Sequence, residues 1–298
     1  MTSDAQARFE PRRPLDLHLT LAPLSNGPWL RHEGGAIWRA TRTPAGPATI
    51  RLERSKGSVE VRAWGPGAEW ATANAPASCG EGDDDSEFAP AHPLVARLHH
   101  EIRGVRMPRT LAVFETLVPI VLGQQVTSEE ARESYRHLVN ALGERAPGPF
   151  PLKLPPSPQV LARTPYWSFH RFGIERRRAD VIIRAARSAK RLEQVADMDM
   201  PSAYRRMQAF PGIGTWTAAK VAMVALGDAD AVPVGDYHLP HSIGFALEGT
   251  PRSTDERMLE LLEPYRGHRA RVIRLIIAAG IGAPRFGPRK PLRDITNK

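Results

Sequence analysis

Gly212, Ile213 and Gly214, in the stretch FPGIGTWTAAK (residues 210–220), form the first pattern with chemical potential. Two glycines one residue apart allow positive φ and a close approach of the chain to another surface. The amides after Gly214 open an apolar run that reads as a helix. Unpaired N–H groups at such a start favour an anion such as a DNA phosphate. The same residues also suit an ordinary tight turn, with Ile213 plugged between two helices. Asp236, in Gly235-Asp236-Tyr237-His238, lies 22 residues beyond Gly214. One apolar helix and a short loop fill that interval and can return the carboxylate to the turn. An aspartate after glycine is equally a common helix cap.

The elements that must position these residues are legible in the periodicity. TLAVFETLVPIVL, residues 110–122, predicts a helix buried nearly all round and ended by Gly123. TSEE at 127–130 fits a capping box opening the next helix, which leaves Gln124 and Gln125 at the junction. ERRRADVIIRAARSAKRLEQV predicts one amphipathic helix with a basic face. TAAKVAMVALG predicts an apolar helix stopped by Gly227, and residues 255–280 supply two more helices. The tail APRFGPRKPLRDITNK is basic, Pro-rich and expected to be extended.

Between Asp16 and Trp70 the pattern is instead one of short strands. LHLTL, GAIWRATRT, ATIRLER and SVEVRAW alternate or carry β-branched and aromatic residues, separated by Gly and Pro clusters. They predict a small antiparallel sheet. Residues 79–93, CGEGDDDSEFAPAHP, read as a solvated acidic loop. The expected fold is α+β: a sheet-containing domain over 1–92, then an all-helical domain over 93–298 with a basic tail.

The 298 residues carry 41 Lys and Arg against 32 Asp and Glu, a net charge of +9. The pI near 10.2 favours a polyanionic partner without naming one. A single cysteine, Cys79, rules out an intramolecular disulfide, a four-cysteine zinc site and a cysteine-held iron–sulfur cluster. The opening MTSDAQARFEPRRPL has no apolar core of signal-peptide length, and no apolar run reaches about 18 residues. A cytoplasmic protein is expected, with no membrane contact.

Together FPGIGTWTAAK, VPVGDYH and VLGQQVTSEEA resemble the helix-hairpin-helix DNA glycosylase superfamily, in that family's order and over roughly residues 105–280. Alkylpurine glycosylases of the 3-methyladenine-DNA glycosylase II kind are the most similar by motif, and the N-terminal sheet region is similar to their extra domain. The resemblance implies that Asp236 is the catalytic carboxylate, stabilising an oxocarbenium-like sugar or orienting water. It implies that Gly212, Ile213, Gly214 and Thr215 bind DNA phosphate. It also places Gln124 and Gln125 as the wedge that fills the gap left by an extruded base.

Trp216 stands where strand-cleaving members carry a lysine nucleophile. An indole forms no Schiff base, so a monofunctional hydrolase is implied, with Trp216 and Tyr237 as aromatic walls of the base pocket. Each could instead be a core residue. Backbone carbonyls of Gln208, Phe210 and Ile213 would hold a structural Na+ or K+; no other cofactor is expected. Double-stranded DNA is the expected partner of a monomer.

Two positions depart from the alkylpurine pattern. Lys220 and Arg274 stand in the base-pocket set where relatives tend to carry aromatics. A cation there repels cationic N-alkylpurines and makes a neutral, polar lesion more plausible if both side chains face the pocket. The alternatives are the same chemistry on a deaminated or oxidised base, or a non-catalytic DNA-binding protein that grips through the hairpin alone.

Overall fold

The computed structural model describes residues 2–24 and 27–284. Among these, β1 (Ala5–Phe9), β2 (Leu30–Glu33), β3 (Ala36–Thr43), β4 (Gly46–Ser55) and β5 (Ser58–Trp64) form one antiparallel sheet in the order β1-β5-β4-β3-β2. Lys56 and Gly57, with φ of 47° and 88°, make the tight β4–β5 turn, whose twist matches that of the strands it joins. Ile37 pairs with Leu52, and Leu52 with Val61, so one apolar row crosses three strands on the buried face. On the opposite face Trp38 stacks between Trp64 and Phe150.

LHLTL is not a strand. Leu17–Leu21 is a short helix, because Asp16 accepts the N–H of Leu19 and caps it. Leucines at 17, 19 and 21 satisfy both periods, and the cap decides between them. The sheet takes Ala5–Phe9 in its place, which strand patterning had not singled out.

The helical part follows its local signals more closely. Val113–Leu122 is buried nearly all round and ends at Gly123. Thr127 and Glu130 form the expected capping box on Ser128–Leu142. The expected basic helix breaks at Ser188 into Arg176–Arg187 and Ala189–Glu193. That break turns Glu193 back so that its carboxylate accepts the N–H groups of Val113 and Phe114, both at 3.0 Å, opening the buried helix. The apolar run after the glycines is α-helical over Thr215–Val221 and widens to a π-helix over Ala222–Leu226, stopped by Gly227 at φ 75°. The wider turn frees the carbonyls of Val224 and Ala225 for the amides of Thr110 and Leu111.

Residues 79–93 are more than a solvated loop. Asp83 is buried and accepts both guanidinium NH groups of Arg271, at 2.9 and 2.7 Å, and the N–H of Met107. Asp84 and Asp85 pair with Arg13, and Asp85 also with Arg106. Three arginines brought together by the fold need counter-charge, and the acidic run supplies it. Apart from Ala283 and Pro284, the basic tail lies outside the described residues.

Among the described residues two large apolar clusters fill the interior, and a small third one (Ala40, Ala146, Leu152, Leu154) lies under Trp38 and Phe150. Of the large ones, the first joins Ile37, Leu52 and Val61 of the sheet to Leu117, Leu138 and Ile182 of the helices. The other holds Val95, Leu239, Ile243, Met258 and Ile273. The helix that begins at Thr215 belongs to both: Ala218 and Val221 face the first cluster, Ala219 and Met223 the second. Its remaining face lies along the seam between them.

Candidate active site

The turn is built from both sides. Met200–Gln208 is capped by Asp199 and runs into Phe210, whose carbonyl accepts the N–H of Ile213 at 3.0 Å. Ile213 is buried, as a plug between helices should be. Gly212 has φ 93°, and a Cβ there would stand 2.3 Å from Cγ2 of Val181, so neither its conformation nor its space admits a side chain. Gly214 differs. It is extended, and a Cβ built on it meets nothing within 4 Å. No side chain caps the helix that follows, so its first amides, with exposed Thr215, face outward.

Trp216 and Lys220 sit one helical turn apart on the seam face of that helix. Asp236 reaches them from the loop ahead of Leu239–Glu248. Its Oδ2 accepts the indole N–H of Trp216 at 2.9 Å, and its Oδ1 accepts the backbone N–H groups of His238 and Leu239, both at 3.0 Å. Nζ of Lys220 lies 3.7 Å from the same Oδ2 and 5.7 Å from the centroid of the Trp216 ring. The carboxylate therefore does cap a helix, and it also faces the hairpin with one oxygen. Its side chain retains 18% exposure. Burial opposes its ionisation, but the charge of Lys220, the indole N–H and the two amides outweigh that and hold it below the ordinary aspartate value.

Trp216 is half-buried, and Gly123 lies against its ring, with a Cβ there 3.7 Å from the outer edge. Tyr237 is 80% exposed, its ring meeting only the edges of His238 and His241 among aromatic neighbours. A core role for Tyr237 is thereby excluded. A cavity of about 450 Å³ lies elsewhere, lined by Phe9, Arg12, Pro76 and Glu81, and none of the candidate residues borders it.

Gln124 and Gln125 separate in role. Nε2 of Gln124 donates to the carbonyl of Gly212 and to Oγ1 of Thr217, both at 3.0 Å, and ties the buried helix to the hairpin. Gln125 is exposed at φ 60°, a left-handed conformation uncommon for a residue with a side chain, and accepts from Arg177 at 3.1 Å.

No protein-family model matches the chain. DNA-3-methyladenine glycosylase 2 of Escherichia coli is 29% identical over 170 residues, which cover 55% of this chain and 58% of that protein's length. Among solved structures, 3-methyladenine DNA-glycosylase from Archaeoglobus fulgidus superposes with a TM-score of 0.76 at 18% identity, over 91% of this chain and 97% of that one. The fold is that of the helix-hairpin-helix DNA glycosylases. An 8-oxoguanine glycosylase/lyase of Clostridium acetobutylicum shares it, with a TM-score of 0.71 at 12% identity over 94% of this chain and 98% of that one.

Within this glycosylase fold one expected pocket residue is misplaced. Arg274 is 7% exposed and donates to the carbonyls of Leu19 and Thr20, at 2.7 and 3.2 Å. Those carbonyls belong to the short helix Leu17–Leu21, whose last C=O groups have no intrahelical partner. Arg274 caps that helix and reaches neither Asp236 nor a surface that DNA could touch.

Other residues hold the site in place without belonging to any of its motifs. Arg178 is buried and donates to the carbonyl of Leu122 at 2.7 Å, closing the helix that ends beside Trp216. Arg184 donates to the carbonyl of Pro211 on the hairpin. The signal was present: Arg176, Arg177 and Arg178 open a helix at the end where cations are unfavourable, which points to partners outside it.

Proposed function

We propose that the protein is a monofunctional DNA glycosylase that extrudes a damaged base, an alkylated purine, from double-stranded DNA and hydrolyses its N-glycosidic bond. The observation that carries this reading is Asp236, ionised, partly exposed and hydrogen-bonded to Trp216 one residue into the hairpin helix. A carboxylate that served only as a cap would not need the hairpin's first aromatic as a donor.

The hairpin Gly212–Thr215 grips a phosphate through its outward amides, and exposed Gln125 enters the gap left by the extruded nucleotide. Gln124 holds the hairpin against the buried helix. The base lies against Trp216, with Tyr237 at the open side. As the C1′–N bond breaks, its electron pair leaves with the base and positive charge grows on the sugar, where the Asp236 carboxylate stabilises it. Water adds to C1′, and Asp236 can take its proton. A monovalent cation on the backbone carbonyls of Gln208, Phe210 and Ile213 would add positive charge beside the phosphate. The donor set suits it: these are neutral oxygens, and the Phe210 carbonyl keeps a second lone pair beyond its bond to Ile213. The protein works as a monomer with no other cofactor.

The decisive test is release of free base from duplexes that each carry one lesion. Wild-type protein releases a damaged purine, and Asp236→Asn does not. Binding without release by the wild type, across a broad lesion panel, would leave only the non-catalytic DNA-binding reading.

A further inference from the structure

Trp216 and Lys220 both approach Oδ2 of Asp236, at 2.9 and 3.7 Å, but they bring opposite chemistry. The indole offers a flat face. The ammonium lies over that face, 5.7 Å from the ring centroid, and is about one-third exposed. A cation thus already stands over the aromatic wall before a base arrives, and Arg274, the other cationic candidate, is buried elsewhere.

A purine that carries a simple alkyl group on N3 or N7 is itself cationic. It would bring a second positive charge into the same space, and it leaves as a neutral base without a proton. An uncharged base has the reverse needs. It leaves as an anion unless a donor reaches it, and nothing in its ring repels an ammonium.

Resting on the glycosylase reading above, we propose that Lys220 is a catalytic and specificity-determining residue that directs the site to uncharged damaged purines. The glycosidic bond breaks with its electron pair on the base. A ring nitrogen of the departing base takes a proton from Nζ of Lys220, so the base leaves neutral. Lys220 then no longer compensates Asp236, and the carboxylate is unmasked as the sugar becomes positive. The oxygen of water bonds to C1′, and its proton returns through Asp236 to Nζ. One water is consumed and the ion pair is restored.

The test is single-turnover base release by the full chain from two duplexes of one sequence, one carrying uncharged ethenoadenine and the other cationic 7-methylguanine. Wild type should favour ethenoadenine. Lys220→Met should slow ethenoadenine release by about 100-fold, the lower end of general-acid contributions, and leave 7-methylguanine release at or above its wild-type rate. Lys220→Arg, whose guanidinium keeps the charge but does not give up a proton, should slow ethenoadenine release as Lys220→Met does and still disfavour 7-methylguanine, and melting curves check that each variant is folded. An unchanged ratio of the two rates in Lys220→Met overturns the inference. Release of 7-methylguanine alone by the wild type also overturns it, while the glycosylase reading stands. Release of neither base, nor of any in a wider panel, removes that reading and this inference with it.

Discussion

The indole N–H of Trp216 donates to Oδ2 of Asp236 at 2.9 Å across 20 residues of chain. The bond spans the seam between the two apolar clusters, because Trp216 rides on the shared helix and Asp236 precedes a helix of the second cluster. The same carboxylate spends its other oxygen on the amides of His238 and Leu239. Its direction is thus fixed by donors from both sides, and it is pre-set before any substrate binds.

Asp236→Asn should lower base release by about 100-fold or more, the scale seen when a charge-stabilising group is removed. Duplex affinity should hold or rise, since a negative charge near phosphates is lost. The amide oxygen can still accept from His238 and Leu239. Its NH2 group would then face the Trp216 N–H and Lys220, donor against donor, so a modest fall in melting temperature should accompany the kinetic loss. Retention of activity within a few-fold would remove Asp236 from the mechanism.

The pH profile follows from the same contacts. Burial raises the Asp236 carboxyl, but Lys220, Trp216 and the two amides more than reverse it, so the folded value lies below the unfolded one. Such a group contributes stability that is present above the unfolded pKa and is lost as pH falls through the folded pKa. Base release should therefore stay level down past the pH at which a free aspartate protonates, and fall only below it. Lys220→Met removes the largest lowering influence, and its acid limb should move to higher pH. Single-turnover rates across the acid range would show the shift; coincident limbs would mean that the pair does not act on Asp236.

Borohydride treatment of the protein with lesion-containing DNA should trap no covalent adduct. On the proposed reading Trp216 stands in place of the lysine nucleophile of strand-cleaving enzymes, and Lys220 is engaged as an ion pair with Asp236. Peptide mapping of an adduct to Lys220 would convert the assignment to a glycosylase with strand-cleaving activity.

What could be read in advance was local. The Thr127–Glu130 box, the Gly123 and Gly227 stops and the plug at Ile213 each depend on neighbours within a few residues, and each occurs where its signal stands. Arg274 depends on the carbonyls of Leu19 and Thr20, more than 250 positions away, and no periodicity in its own helix marks that partner. The acidic run at 83–85 failed for the same reason, since Arg13, Arg106 and Arg271 converge on it only in three dimensions. Gln124 and Gln125 are identical in type, so only the fold, which turns Gln124 onto the hairpin and leaves Gln125 exposed at a left-handed φ, could divide them.

The two hairpin glycines should respond oppositely to alanine. Gly212→Ala forces φ 93° on a residue with a side chain and drives its Cβ into Val181, so it should cost about 1–3 kcal/mol of stability and be visible as a lower melting temperature. Gly214→Ala has an ordinary φ of −86° and open space around the new methyl, and its stability should stay within about 0.5 kcal/mol of wild type. On the proposed reading that open space is where a phosphate approaches the outward amides. The methyl group should therefore weaken binding of damaged and undamaged duplexes alike, because phosphate contacts carry no base information. Melting curves and duplex titrations on the two variants separate folding from binding at adjacent points of one turn. If Gly214→Ala bound duplex as tightly as wild type, the turn would be only a helix–helix connection and the phosphate grip would have to lie elsewhere on the basic face.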